Sequence, residues 1–333
     1  MITVKISQAA SDKDFNRQLP KGDFVWKDCH FVINQDIEEA DFWVVCYQRL
    51  PRGKETCYVA PENTIYVTWE PDSVWHFSKG FLNQFGKVIS CQKKVSHFNV
   101  LHDQPGLAWH IGMVRKEGIN IYNKTYDDFA STSPKKTKLI SVISSNKVFT
   151  KGHRERVTFI EKLTSHFGNQ LDVFGRGIRG FDDKWDVIAP YKYHICLENC
   201  SQPYYWTEKL SDAFLGEAFP IYYGCTNIGS FFDDDCYRAI NIRQPEQAIR
   251  IIEETINSNV ADTHHSAVVN AKMKILNDYN FFELVHKHIQ GMNPNAAKVK
   301  VIIKDDLSYF DPYKLSMVGN RLISTLYYKF FNH

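Results

Sequence analysis

Residues 190–229 constrain this chain more than any other stretch. An apolar strand pattern carried by Tyr193, Ile195 and Leu197 runs into a polar turn holding Glu198 and Asn199. A helix is expected to start near Thr207, with Glu208 and Lys209 in its first turn, and a second apolar run over residues 219–223 stops at Gly224. The segment therefore reads as strand, helix, strand, with both an acid and a base at the helix start. Such a helix tip offers backbone N–H groups and the positive end of the helix dipole, which suits a diphosphate. The lysine adds charge, and the carboxylate can accept hydrogen bonds from ribose hydroxyls. Together they read as a nucleotide-sugar site.

The alternation extends on both sides. Strands are expected at residues 2–6, 24–33, 41–47, 65–69 and 87–91, separated by helical or turn segments. Residues 123–138 are polar and turn-rich and read as a linker. A second alternation follows: a strand at 139–144, a helix over about 154–167, strands at 171–174 and 193–197, the Thr207 helix, a strand at 219–223, then helices to about residue 290. Two such series predict an α/β protein of two Rossmann-like, doubly wound domains with ligands in a cleft at the carboxyl ends of the strands. The expected boundaries are 1–130, 131–292 and a tail at 293–333. A chain of 333 residues, 44% hydrophobic and 14% aromatic, is long and apolar enough for two cores. A net charge of +2 gives no indication of a nucleic-acid partner.

Eight cysteines lie scattered at 29, 46, 57, 91, 196, 200, 225 and 236, without a Cys-x-x-Cys pair. That pattern suits reduced, mostly buried thiols in a cytoplasmic protein rather than a disulfide framework or a zinc site. The start of the sequence reads as a strand, not a signal peptide, and no apolar run approaches the ~20 residues that span a bilayer.

Several separated blocks carry a family resemblance. Tyr191-Lys192-Tyr193, Leu197-Glu198-Asn199, Tyr205-Trp206-Thr207-Glu208-Lys209-Leu210 and the 218–224 strand ending at Gly224 resemble, in order and spacing, the signature of α-1,3-fucosyltransferases, glycosyltransferase family 10. Residues 142–163, with Ser145-Asn146 and Arg156, resemble the block that opens the family's donor domain, and Asp172 to Gly177 resembles its Asp-Val-Phe-Gly-Arg-Gly. The likeness is strong over 139–242, weak before 130 and absent after about 290. It implies the GT-B arrangement, with residues 1–130 for the acceptor and 131–292 for the donor. It also implies an inverting transfer of fucose from GDP-fucose to a glycan acceptor. Tyr204 and Trp206 depart from the family's Asp and small aliphatic residue, which leaves open a different nucleotide sugar on the same scaffold. A non-catalytic glycan-binding or scaffolding derivative is the alternative of another class.

The chemistry needs a base for the acceptor hydroxyl and cations for the departing diphosphate. The resemblance assigns donor contacts to Arg176, Lys192, Glu198, Asn199, Tyr205, Glu208 and Lys209. Taken singly, Arg176 reads as a turn residue and Lys209 as a solvated helix residue; the shared motif order favours the donor role. For the base, Glu70 before Pro71 ends an expected strand, where the family carries its proposed base in Glu-Ser-Pro; Asp72 is the fallback. No resident cofactor or metal is expected, with a divalent cation at most stimulating.

Other motifs read more plainly. Gly175 to Gly180 fits Gly-x-Gly-x-x-Gly yet runs into no convincing helix, so a dehydrogenase is not favoured. Asp233-Asp234-Asp235 reads as a loop or cap rather than a metal site. His264-His265 and His286-x-His288 lack a matching carboxylate or cysteine pattern and read as solvated helix residues. Trp69, Trp75, His97, Trp109 and His110 are either sugar-stacking or core residues, and Gln92-Lys93-Lys94 stands where the family has a charged cluster. Residues 313–331 space apolar residues at helical intervals among Lys314, Arg321 and Lys329. They read either as a basic helix making peripheral contact with the inner face of a membrane or, preferably, as a closing helix packed on the first domain.

Overall fold

The computed structural model describes residues 1–8, 15–46, 50, 53–144, 150–175, 177–309 and 319. These fall into two compact units: Met1–Ala108 with the described residues from Asp278 to Tyr309, and Trp109–Asn277 with Gly319.

In the first unit the strands are β1 (Ile2–Ser7), β2 (Val25–Trp26), β3 (Cys29–Ile33), β4 (Phe42–Cys46), β5 (Lys54–Val59), β6 (Thr64–Val67), β7 (Lys87–Ser90) and β8 (Val100–His102). The main sheet runs β2-β3-β1-β4-β6-β7-β8. Its pairs are parallel apart from β2–β3. Every residue of β4 and β6 is buried, the continuous apolar run expected of strands covered on both faces. The winding direction reverses between β1 and β4. Within the same unit, the strand Val299–Lys304 pairs antiparallel with β5, from Val299↔Val59 to Lys304↔Lys54, and buries Ile303 with Cys57 and Val59. The helix Phe281–Ile289 also packs here. Phe281 lies 4.7 Å from Phe15, and Phe282 lies 4.8 Å from Phe31. The expected boundaries at 292 and 293 therefore give way to one at 277/278, because apolar contacts draw the later segment onto the first core.

The second unit opens with a hairpin, β9 (Met113–Lys116) and β10 (Ile119–Tyr122). The expected linker at 123–138 instead contains the helix Tyr126–Ser131, started by a Thr125–Asp128 capping box. Its Phe129 is buried 5.8 Å from Trp109 and 6.1 Å from Trp185. The polar composition belongs to this helix's outer face, and the boundary expected at 130 falls at 108/109. The sheet comprises β11 (Lys138–Ile143), β12 (Leu171–Phe174), β13 (Tyr191–Leu197), β14 (Phe219–Tyr223) and β15 (Arg238–Ala239), ordered β12-β11-β13-β14-β15 and parallel throughout. Both sheets share one winding: the strand after the first lies to one side, and the later strands extend from the other. The second sheet thus reverses between β11 and β13. The expected fold class, two doubly wound α/β units, is borne out in each sheet.

Gly175 follows β12 with φ +140°, and a Cβ there would collide with the Ser144 carbonyl. Its N–H donates to the Arg179 carbonyl at 2.8 Å, closing a turn, and the next helix starts only at Lys184. The Gly-x-Gly-x-x-Gly stretch is a turn without the helix a dinucleotide needs. Among the described residues no helix is long and apolar enough to cross a membrane. Residues 313–331, apart from Gly319, lie outside the described residues.

Candidate functional site

A cavity of about 480 Å³ opens at the carboxyl ends of β11 and β13, the reversal point at which doubly wound sheets hold ligands. Ser144 and Leu197 line it from the strand ends, and Arg156, Lys184 and Lys209 bring three cations to it.

The network begins at Glu198. Its N–H continues the ladder to the Tyr223 carbonyl at 2.9 Å. Gly224 leaves room for its side chain, because a Cβ at that position would collide with Glu198 Cγ. The carboxylate is wholly covered and accepts from the Thr207 N–H at 2.8 Å and hydroxyl at 2.9 Å. Thr207 caps the helix Glu208–Leu215, and its hydroxyl accepts from the Lys209 ammonium at 2.9 Å. That ammonium lies 3.1 Å from Glu198 Oε2 and 3.2 Å from Glu208 Oε1.

Charge follows this geometry. Burial pushes the Glu198 carboxyl up, with the Lys209 ammonium pulling the other way. Burial would also raise Glu208, but Lys209, His110 and Lys184 overcome it and hold that carboxyl well below its usual range. Lys209 is pushed up: burial opposes its charge, yet Glu198 and Glu208 outweigh burial.

At the helix tip the Thr207 N–H donates to Glu198 and the Lys209 N–H to the Thr207 hydroxyl. Beside it is the cationic wall for an anion, where Lys209 keeps 24% of its side chain exposed and Lys184 17%. Arg156 stands beside them, donating to Asn199 Oδ1 at 3.1 Å. Its helix, Lys151–Phe167, presses Gly152 against the Asn199 carbonyl so closely that no Cβ would fit.

Five contributors were missing from the donor set read in the sequence, among them Arg156, which was read only as part of the block that opens the donor domain, and Lys184. Thr207 joins Glu198 to Lys209, and a threonine ahead of Glu208 is an ordinary helix-cap signal. Asp212 is fully buried, pairs with Lys184 at 2.6 Å and accepts the backbone N–H groups of His110 at 3.0 Å and Ile111 at 3.1 Å. Its signal was the four-residue spacing from Glu208, which puts both on one helix face. His110, read above as a stacking or core residue, is half-exposed at the cavity with Nδ1 3.9 Å from Glu208.

The other sequence candidates lie elsewhere. Lys192, near the start of β13, pairs with Asp262 at 2.5 Å and does not line this cavity. Tyr205 is 2% exposed and Trp206 is buried 5.8 Å from Phe231 and 5.4 Å from Phe232, so the Trp206 departure is one of packing. Arg176, Ser145 and Asn146 lie outside the described residues. Glu70 sits beyond β6 in the first unit, its carbonyl accepting from the Gln92 amide at 2.9 Å. The Asp72 carboxylate accepts the N–H groups of Lys93 at 2.9 Å and Lys94 at 3.3 Å, which fixes that turn.

Trp69 and Trp109 are core residues, Trp75 donates to Asp306 at 3.1 Å, and the His97 ring lies between the Asn99 and Phe85 carbonyls. In the loop at 233–235, Asp233 pairs with Lys274 and Asp234 accepts from the Tyr237 hydroxyl. The reading of solvated histidines needs correction, since His265, His286 and His288 each meet a carboxylate: Glu217 at 3.1 Å, Asp28 at 3.0 Å and Asp103 at 2.8 Å.

Fold and cavity define an α/β chain whose second sheet displays clustered cations at its reversal point. Residues 133–255, the segment that builds most of this site, match the model of glycosyltransferase family 10 (fucosyltransferase), C-terminal part, which bears out the resemblance there. The α-(1,3)-fucosyltransferase FucT of Helicobacter pylori is 24% identical over 187 residues, 54% of this chain and 36% of that protein. The matched segment thus spans about a third of that relative's length. Among solved structures, an α1,3-fucosyltransferase with GDP aligns over 83% of this chain and 90% of its own, at 14% identity and a TM-score of 0.49. WaaG, a glycosyltransferase involved in lipopolysaccharide biosynthesis, aligns over 87% and 100%, at 11% identity and a TM-score of 0.46.

Proposed function

We propose that this chain is an inverting glycosyltransferase that transfers fucose from GDP-fucose to a glycan acceptor in α-1,3 linkage. The observation that carries the reading is the convergence of Arg156, Lys184 and Lys209 on a cavity at the reversal point of the sheet, inside the segment that matches the family model. An acceptor hydroxyl oxygen attacks the anomeric carbon as the bond to the diphosphate breaks. The three cations take up the charge that collects on the leaving group. Glu208 is held ionised and is suited to accept a hydrogen bond from a ribose hydroxyl. Glu198 and Thr207 act through Lys209, which they position. We assign the base to Glu70 of the first unit, where it takes the proton released by the hydroxyl. With cations supplied by side chains, a divalent metal is an accessory rather than a requirement. The glycan acceptor, carried on protein or lipid, a cytoplasmic location and peripheral membrane contact through residues 313–331 complete the proposal.

Calorimetry and turnover with GDP-, UDP- and dTDP-sugars test it. Binding and hydrolysis or transfer of GDP-fucose alone is expected. Binding of GDP with rejection of GDP-fucose removes the donor, and binding of no nucleotide favours a non-catalytic derivative. Glu70→Gln is expected to spare donor affinity and lower kcat by about 10²–10⁴-fold, the usual worth of a general base; full turnover removes Glu70 from that role.

A further inference from the structure

Away from the cavity, in the first unit, three metal-ligating side chains from distant parts of the chain converge. Asp28 and Cys29 stand where β2 turns into β3, and His286 comes from the helix Phe281–Ile289, 258 positions beyond Asp28. One ligand atom from each lies within 4.8 Å of the others. His286 Nε2 is 3.0 Å from Asp28 Oδ1, and Cys29 Sγ is 3.7 Å from the same oxygen. Around a tetrahedral zinc ion with bonds of roughly 2.0–2.3 Å, ligand atoms stand about 3.3–3.7 Å apart. Both separations to Asp28 Oδ1 lie near that range, and closing on an ion brings Cys29 and His286 from within 4.8 Å to the same spacing.

The surroundings match what a ligating histidine requires. Its other nitrogen, Nδ1, is buried without a hydrogen bond, 3.6 Å from Glu283 Oε2, so a slight approach would make the carboxylate–imidazole pairing that fixes ring orientation in metal sites. Glu283 is itself held by the Trp26 indole N–H at 2.6 Å and the Lys27 ammonium at 2.7 Å, both from the β2–β3 hairpin. The supporting carboxylate is thus anchored by the same two elements that supply the ligands. Asp28 is 58% exposed, which leaves a fourth position open to water. The exposed Gln290 amide, 3.0 Å from His286 Nε2, has to swing aside.

We propose that Asp28, Cys29 and His286 bind one divalent transition metal of the zinc class, positioned by Glu283, and that the ion clasps the helix Phe281–Ile289 to the edge of the first sheet. Thiolate, imidazole and carboxylate together select such an ion over magnesium or calcium. Loading releases the Cys29 thiol proton.

Cobalt(II) titrated into the metal-free full chain tests this. One equivalent is expected to give a near-ultraviolet thiolate-to-cobalt charge-transfer band, which zinc then displaces. Cys29→Ser is expected to abolish the band, and Cys200→Ser, at the one cysteine that is not buried, to keep it. Glu283→Gln is expected to weaken cobalt affinity about 10–100-fold. If Cys29→Ser fails to fold, Asp28→Asn at an exposed carboxylate supplies the readout, with an expected loss of similar size. Absence of a band in the wild type, a band surviving Cys29→Ser, or affinity unchanged in Asp28→Asn overturns the proposal.

Discussion

Two buried lysine–carboxylate pairs, one taken from each unit, have opposite surroundings. In the first unit the Lys5 ammonium lies 3.4 Å from Glu55, donates to the Gln35 carbonyl at 2.7 Å and sits 5.6 Å over the Trp43 ring. Ser7 donates to Glu55 and accepts from the Trp43 indole. The pair is sealed, its side chains 1% and 7% exposed. In the second unit Lys209 and Glu198 form a pair of the same chemistry, but the lysine faces a cavity it shares with Arg156 and Lys184. A buried ion pair is weak evidence for stability in itself, because desolvation offsets much of the attraction. The comparison teaches that a functional pair is marked by where the cation's free side points.

Glu55→Gln and Glu198→Gln give the largest expected effects. Glu55→Gln leaves Lys5 without a carboxylate partner and should cost about 3–5 kcal/mol of stability, read by denaturant unfolding; Glu198→Gln leaves Lys209 with Glu208 as its one carboxylate and should cost somewhat less. Only Glu198→Gln is expected to lower nucleotide affinity as well; an equal loss in Glu55→Gln would break the comparison. Thr207→Val comes next. Losing the helix cap should cost about 1–2 kcal/mol and release Lys209 from its position, so affinity falls even where the fold survives.

The remaining effect is in pH and is read as a slope. Burial, with Lys184 and Lys136 nearby, pushes the His194 pKa down to about 3, and its Nδ1 lies 2.8 Å from Ser141 Oγ. An unfolded histidine binds a proton near pH 6.5. Between about pH 6.5 and 3 the unfolded chain takes a proton that the folded chain refuses. Stability therefore falls as pH drops through that window, by at most about 1.4 kcal/mol per pH unit from this group, and is unaffected by it above. His194→Gln should flatten that slope in acid-dependent unfolding of the second unit; an unchanged slope would show that another group sets it.

The central parallel strands were legible because they are buried on both faces and read as continuous apolar runs; β14 coincides with the stretch expected, as does the half-buried edge strand β12. The strand Val299–Lys304 was not, since its partner β5 lies some 240 positions earlier and most of its residues are exposed. Local pattern carries no information about such pairing. In the site, Glu198, Glu208 and Lys209 were legible through their motif. Asp212 and Lys184 look like ordinary charged residues until the helix and the 109–112 segment meet. Trp206 invited a functional reading because it breaks the motif, but Phe231 and Phe232 supply the reason it fits. The Asp28–Cys29–His286 trio is invisible to any spacing rule, as its parts join only through tertiary packing.

The most direct test of the central claim is a titration of GDP into the wild-type chain and Lys209→Ala, with the fold of each checked by circular dichroism. One equivalent is expected to bind the wild type, and the variant is expected to bind about 10–100-fold more weakly, the worth of a charge-assisted hydrogen bond to phosphate. Equal affinity in the two folded chains would contradict the account, because the nucleotide would then sit away from the cation that the Glu198–Thr207 network holds in place.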